Sequence, residues 1–190
     1  MRETSYVLLE DGTRFDGESV GAEGHAVGEI VFTTGMSGYQ ESFTDPSFAG
    51  QLITYTYPHI GNYGVSERAM ESSRAWARAA IMRDAVGRDD APAAERGWLD
   101  WLSEQGVPGI TGVDTRALVR HIRDAGSMRG GLFPSAVPLE EAQALIAAEP
   151  PMAGQDLAGL VTPKTTIVRA PEGETRVRIA AIDTGIKRSI

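Results

Sequence analysis

The sequence predicts an α/β fold: a mixed β-sheet domain carrying about three helices. Three observations lead there. Up to residue 63, β-branched and aromatic runs alternate with Gly-containing turns. After residue 92, apolar residues recur at helical spacing in three separate stretches. Residues 177–188 then read as a strand, a Gly turn and a helix start, which is how an α/β unit opens.

Residues 6–10 and 14–20 are strand-like, and Asp11-Gly12 between them is a strong hairpin signal. Residues 21–28 read as a loop and 29–33 as a third strand. A fourth strand, 51–57, ends at Pro58, where the preceding residue is pushed towards extended backbone. Between these last two strands lies the stretch 34–51, too polar for core and rich in turn formers, with two aromatics and two carboxylates. Long connections of this kind carry binding residues on a scaffold. Residues 59–64 form a loop; by period 78–86 suit either a buried strand or a helix, and the early closure by Gly87 and Arg88-Asp89-Asp90 favours the strand.

The first helix is expected over 92–105, with Trp98, Leu99, Trp101 and Leu102 on one face and Gly106 and Pro108 as stops. Residues 110–112 are a short link. Asp114 is the N-cap of a second helix through Arg123, with Leu118, Val119 and Ile122 inward. Residues 128–133 form a short strand. The third helix, 138–148, starts at a proline, ends before Pro150-Pro151 and turns Leu139, Ala142, Leu145 and Ile146 inward. Residues 155–166 read as irregular. The expected division is one domain over 1–168, a linker over 169–176 and the start of a second domain over 177–190, so the sequence reads as a segment of a longer protein.

Composition excludes several functions. The 190 residues are 42% hydrophobic and 23% charged, with a formal net charge of −8 and a pI near 4.9. That is a globular composition. It argues against nucleic-acid and anionic-membrane partners, which call for clustered Lys and Arg. The sequence contains no cysteine, so a disulfide, a thiolate metal site and a cysteine nucleophile are all excluded within it. With neither a signal-like apolar core nor a spanning run in these residues, the expected location is the cytoplasm. Three scattered histidines make no zinc pattern, and glycines 126–131 lack the Lys-Ser/Thr of a P-loop.

Several short segments together carry a family resemblance. They are Leu9-Glu10-Asp11-Gly12-Thr13, Gly28-Glu29-Ile30-Val31-Phe32-Thr33-Thr34, Gly38-Tyr39-Gln40-Glu41, Thr44-Asp45-Pro46-Ser47, Thr56-Tyr57-Pro58-His59-Ile60-Gly61-Asn62 and Asp114-Thr115-Arg116. In this order and spacing the chain resembles the small chain of carbamoyl-phosphate synthase, a glutamine-dependent amidotransferase subunit. Residues 182–188 look like the first strand and turn of that family's class I glutaminase domain. The resemblance implies a β/β/α domain that docks on a large, ATP- and Mg-using subunit, with no cofactor of its own. It implies a parent complex that makes carbamoyl phosphate from glutamine, bicarbonate and ATP for arginine and pyrimidine synthesis. The family's glutaminase uses a cysteine nucleophile assisted by histidine and glutamate. These 190 residues lack that cysteine, so on their own they are expected to be inactive.

Residue chemistry alone makes Ser47, after Asp45-Pro46, a turn serine satisfying local backbone. The resemblance assigns it instead to L-glutamine binding, and no catalytic or metal residue is assigned. Tyr39 is expected to pack, Gln40 and Glu41 to brace their loop, and Gly35 and Gly38 to take conformations other residues resist. His59 is expected to brace a loop or an interface, His25 and His121 to face solvent, and Trp98 and Trp101 to be core. Arg116, Arg120 and Arg123 read as a solvated face or as a docking face for an acidic partner surface. The alternative to the amidotransferase reading is a non-catalytic interaction module of the same fold.

Overall fold

The computed structural model describes residues 2–171 and 173–190. Among the described residues nine strands form: β1 Thr4–Leu9, β2 Arg14–Gly21, β3 Ala26–Thr33, β4 Gln51–Tyr55, β5 His59–Ile60, β6 Ala79–Ile81, β7 Asp84–Ala85, β8 Pro108–Thr111 and β9 Met128–Pro134. The helices are α1 Tyr39–Thr44, α2 Trp98–Glu104, α3 Thr115–Ala125, α4 Leu139–Ala148 and α5 Leu157–Val161. Seven strands close on themselves in the order β1-β2-β8-β6-β4-β3-β9, while β5 and β7 pair separately. The sheet is mixed: β3, β4, β6 and β8 run parallel to their neighbours in that series, and the remaining pairings are antiparallel. The expected α/β class with a mixed sheet and helices is therefore what forms, with closure as an added feature.

Closure explains the packing. Val7 and Leu9 of β1, Ile30 of β3, Leu52 of β4, Ala79 and Ile81 of β6, Ile110 of β8 and Leu132 of β9 meet in one cluster with Leu118 and Ile122 of α3. A cluster drawing on strands all round the sheet fills its interior, and α3 plugs it. Alternate residues point the other way. Tyr6, Leu8 and Phe133 are covered by Ala142 and Ile146 of α4. Ile53, Tyr55, Ala80 and Met82 are covered by Tyr39 and Phe43 of α1 and by Trp98, Trp101 and Leu102 of α2. The two tryptophans are core as expected, their rings stacked at 5.3 Å.

The hairpin at Asp11-Gly12 forms, with Gly12 at φ 87° and Thr13 N donating to Asp11 Oδ1 at 2.9 Å. Asp114 caps α3 by accepting from Ala117 N at 3.0 Å. Other expectations are corrected. Residues 108–111 are a fully buried strand rather than a link; Pro108 opens it, where a missing N–H is tolerated. The strand expected over 78–86 is interrupted at Met82 and Arg83. Met82 N bonds Ile110 O at 2.9 Å, and Ala85 N bonds the Thr111 hydroxyl at 3.0 Å. Helix α2 begins at Trp98, because Val65 and Arg96 form an isolated bridge that holds the chain extended just before it. In α4, Leu139 is exposed rather than inward. Residues 157–161, expected to be irregular, form α5, capped by Asp156 Oδ1 accepting from Gly159 N at 2.8 Å.

The strand expected over 177–182 does not form, and Ile179 is 87% exposed. A strand needs a partner edge, and the seven-stranded sheet has none because it closes on itself.

Candidate functional site

The stretch singled out by sequence is the crossover between β3 and β4. These strands are adjacent and parallel, with Glu29 opposite Gln51 and Thr33 opposite Tyr55. The chain must therefore return along their whole length, which takes a dozen or more residues and usually a helix. Here the return is α1 followed by a 3₁₀ turn, Pro46–Phe48. The helix was not anticipated. Its signal was present in Tyr39 and Phe43, four apart and so on one face; both are buried against Trp98.

Gly38 makes the entry. It sits at φ 83°, the left-handed region open to glycine, whereas Gly35 does not. Its N–H donates to Tyr63 Oη at 2.6 Å. Gln40 is 2% exposed. Its Nε2 donates to Ser66 O and its Oε1 accepts from Ser66 N, both at 2.9 Å. It braces the crossover as expected. Glu41 does not: its Oε2 is buried with no hydrogen-bond partner among the described residues.

Tyr39 packs as expected. Its ring stacks on Tyr63 at 4.3 Å, its hydroxyl donates to Gly64 O at 2.6 Å, and its own carbonyl accepts from Tyr55 Oη at 2.9 Å. Burial pushes the hydroxyl pKa of Tyr39, Tyr55 and Tyr63 above the ordinary tyrosine value, with the charge of Glu41 adding to it in each case. These three are packing and bracing hydroxyls that stay protonated.

Beyond α1 the chain turns at Asp45. Asp45 Oδ1 accepts from Ser47 N at 2.9 Å, and Phe48 N bonds Asp45 O at 3.1 Å, the i to i+3 closure expected of Asp-Pro-Ser. Ser47 is exposed, and its Oγ makes no hydrogen bond among the described residues. A hydroxyl there both donates and accepts.

The chain's last residues reach this turn. Asp183 Oδ1 accepts from Gly185 N and Ile186 N at 2.9 and 2.8 Å, closing a second turn. Lys187 Nζ lies 3.3 Å from Asp45 Oδ2. No local pattern could announce this contact between residues 142 apart in sequence.

His59 Nδ1 lies 3.0 Å from Asp84 Oδ2, bracing the β5–β7 pair. His25 is exposed and stacks on Phe133, with centroids 5.8 Å apart. His121 is only partly exposed; its Nε2 is 2.5 Å from Asp11 Oδ2 and ties α3 to the first hairpin. Arg116, Arg120 and Arg123 are all exposed. A cleft of about 330 Å³ includes Glu10, Glu29, Arg78, Arg129, Glu149 and Met152 in its lining. Four of these charges pair internally, Arg78 with Glu149 at 2.6 Å and Arg129 with Glu10 at 2.9 Å, while Glu29 accepts from Gln51 Nε2 at 2.7 Å. Among the described residues, no group of three His, Cys, Asp or Glu could hold a metal ion, and no helix is long and apolar enough to cross a membrane.

Fold and site together define a class: an α/β scaffold domain that fixes a crossover turn and leaves its serine hydroxyl at the surface. Residues 7–132 match the family described as carbamoyl-phosphate synthase small chain, CPSase domain. The chain belongs to that family. It is 44% identical to the carbamoyl phosphate synthase small chain of Streptomyces avermitilis, over 95% of this chain and 48% of that one. The small chain of Thermotoga maritima is 40% identical over 100% of this chain and 48% of its own length. That of Xanthomonas campestris pv. campestris is 40% identical over 100% of this chain and 54% of its own. The chain thus spans about half the length of the curated relatives it matches. Among solved structures, an aminopeptidase from Aneurinibacillus sp. strain AM-1 is 16% identical with a TM-score of 0.38, over 70% of this chain and 30% of that one, too slight a likeness to carry an argument.

Proposed function

We propose that this chain is the part of a glutamine-hydrolysing carbamoyl-phosphate synthase small subunit that docks on the large, ATP- and Mg-using subunit and supplies Ser47 to the L-glutamine site. The parent complex makes carbamoyl phosphate from glutamine, bicarbonate and ATP in the cytoplasm. The observation that carries the reading is the turn itself: Ser47 is held through its backbone N–H by Asp45, while its hydroxyl stays exposed. A residue fixed at the backbone and open at the side chain is prepared to meet an α-amino acid, whose ammonium donates to a hydroxyl oxygen and whose carboxylate accepts from its O–H. Thiolate chemistry needs a cysteine, and these 190 residues have none. The 190 residues by themselves therefore turn over no glutamine, and residues 177–190 are the opening of the glutaminase domain, joined through a linker at 169–176.

The test uses the full-length subunit with its large partner. Ser47→Ala removes one hydrogen bond to a charged group, so the glutamine KM rises about 10- to 100-fold. Ammonia-dependent synthesis persists, since ammonia bypasses glutamine binding. Equal loss of both activities would assign Ser47 to folding or docking instead, an unchanged KM would remove Ser47 from the glutamine site, and absence of glutamine-dependent synthesis in the unsubstituted complex would favour a non-catalytic interaction module.

A further inference from the structure

We infer that Asp45 and Lys187 are positioning residues for Ser47, joined in a relay that makes the serine's placement depend on the turn at 183–188. The inference rests on the glutamine-site reading of Ser47 and extends it to residues that do not touch the substrate.

A three-residue 3₁₀ turn has little stability of its own, so what surrounds it fixes where Ser47 points. On one side is Asp45, whose side chain is 11% exposed. Its two oxygens face different ways. Oδ1 holds Ser47 N at 2.9 Å and Oδ2 holds Lys187 Nζ at 3.3 Å. A carboxylate bound at one oxygen only can swing about its last torsion, and binding both fixes its plane.

Lys187 is itself held. Arg188 N donates to Glu71 O at 2.7 Å, Arg188 Nη1 to Glu67 O at 3.1 Å, and Ser189 N to Glu71 Oε2 at 2.8 Å. The turn also fits closely. Gly185 takes φ 105°, and a Cβ there would lie 2.5 Å from Val161 Cγ2 and 3.3 Å from Pro46 Cβ. The 183–188 turn thus sits in a notch between α5 and the residue just before Ser47. Displacing it unseats Lys187, frees one Asp45 oxygen and loosens the Ser47 turn.

The experiment compares Lys187→Gln, Asp45→Asn, the double variant and Lys187→Arg in the full-length subunit assembled with its large partner. Asparagine can still accept from Ser47 N, so Asp45→Asn breaks only the link to Lys187. Each single variant raises the glutamine KM about fivefold, with kcat and ammonia-dependent synthesis within about twofold. The double variant is no worse than either single, and Lys187→Arg restores most of the affinity. An unchanged KM in Lys187→Gln, alongside a raised KM in Ser47→Ala, would overturn the relay while leaving the role of Ser47 standing. Additive effects in the double variant would overturn it too. If Ser47→Ala itself leaves KM unchanged, the glutamine-site reading fails and the relay falls with it. Should Asp45→Asn not assemble, Lys187→Gln and Lys187→Arg decide the matter, because Lys187 is 40% exposed and not needed for the core.

Discussion

Replacing Gln40 by leucine tests how the crossover is braced. The side chain is 2% exposed, and its amide closes a two-way bond with the backbone of Ser66, at 2.9 Å in each direction. Leucine matches it roughly in volume, so the change deletes hydrogen bonds without opening a large cavity. Ser66 N and Ser66 O are then left facing an apolar group. An unsatisfied buried backbone group costs about 1–3 kcal/mol. Ser66 is only partly buried, so water recovers some of that, and the net loss is about 2–3 kcal/mol. At a urea m-value of about 2 kcal/mol per M, the midpoint falls by about 1–1.5 M. The assay is urea unfolding followed by tryptophan fluorescence and far-ultraviolet circular dichroism, with coincident transitions required. Trp98 lies 5.0 Å from Tyr39, ring to ring, so its emission reports on this helix. A midpoint within about 0.3 M of the parent would refute the view that Gln40 holds the crossover.

Two further outcomes follow from backbone and pH. A Cβ at Gly61 would lie 1.9 Å from Val86 O at φ 89°, whereas at Gly24, φ 112°, nothing lies within 4 Å. Gly61→Ala is expected to cost about 3 kcal/mol or more and Gly24→Ala about 1–2 kcal/mol, read as thermal midpoints; equal shifts would mean that conformation, not crowding, limits Gly61. Burial first, then neighbouring charges, raises the folded pKa of Tyr39, Tyr55 and Tyr63. Unfolded, they ionise near pH ~10. Their contribution to stability is therefore complete below that pH and declines as pH rises towards the folded values, by up to about 1.4 kcal/mol per pH unit for each tyrosine. Unfolding free energies above pH ~10 should show this fall, and Tyr39→Phe should flatten it; an unchanged slope would sink the assignment.

Legibility varied with how local each cause was. The first hairpin was readable because Asp11-Gly12 acts through its own backbone. The cap at Asp114 and the apolar face of α3 were readable because a helix ties residues three and four apart. Strand β8 was not, since a four-residue run containing Pro and Gly gains its strand character only between β2 and β6. Helix α1 was hidden by polar composition, although Tyr39 and Phe43 marked its buried face. Ser47 could be named from Asp45-Pro46-Ser47 and the family resemblance together. Its partner Lys187 could not, because their meeting depends on the path of the whole chain.

By itself the sequence determined an α/β class with a mixed sheet, membership of a family, the core role of both tryptophans and the turn that carries Ser47. Each follows from short-range periodicity, turn chemistry or residue type. Tertiary structure alone decided that the sheet closes, that the 34–51 stretch is a parallel crossover, and that residues 177–182 find no strand partner. It also brought Asp45, Ser47 and Lys187 together. The physical reason is common to all of these: pairing between strands and contact between turns are set by which distant surfaces become neighbours, and no local preference specifies that.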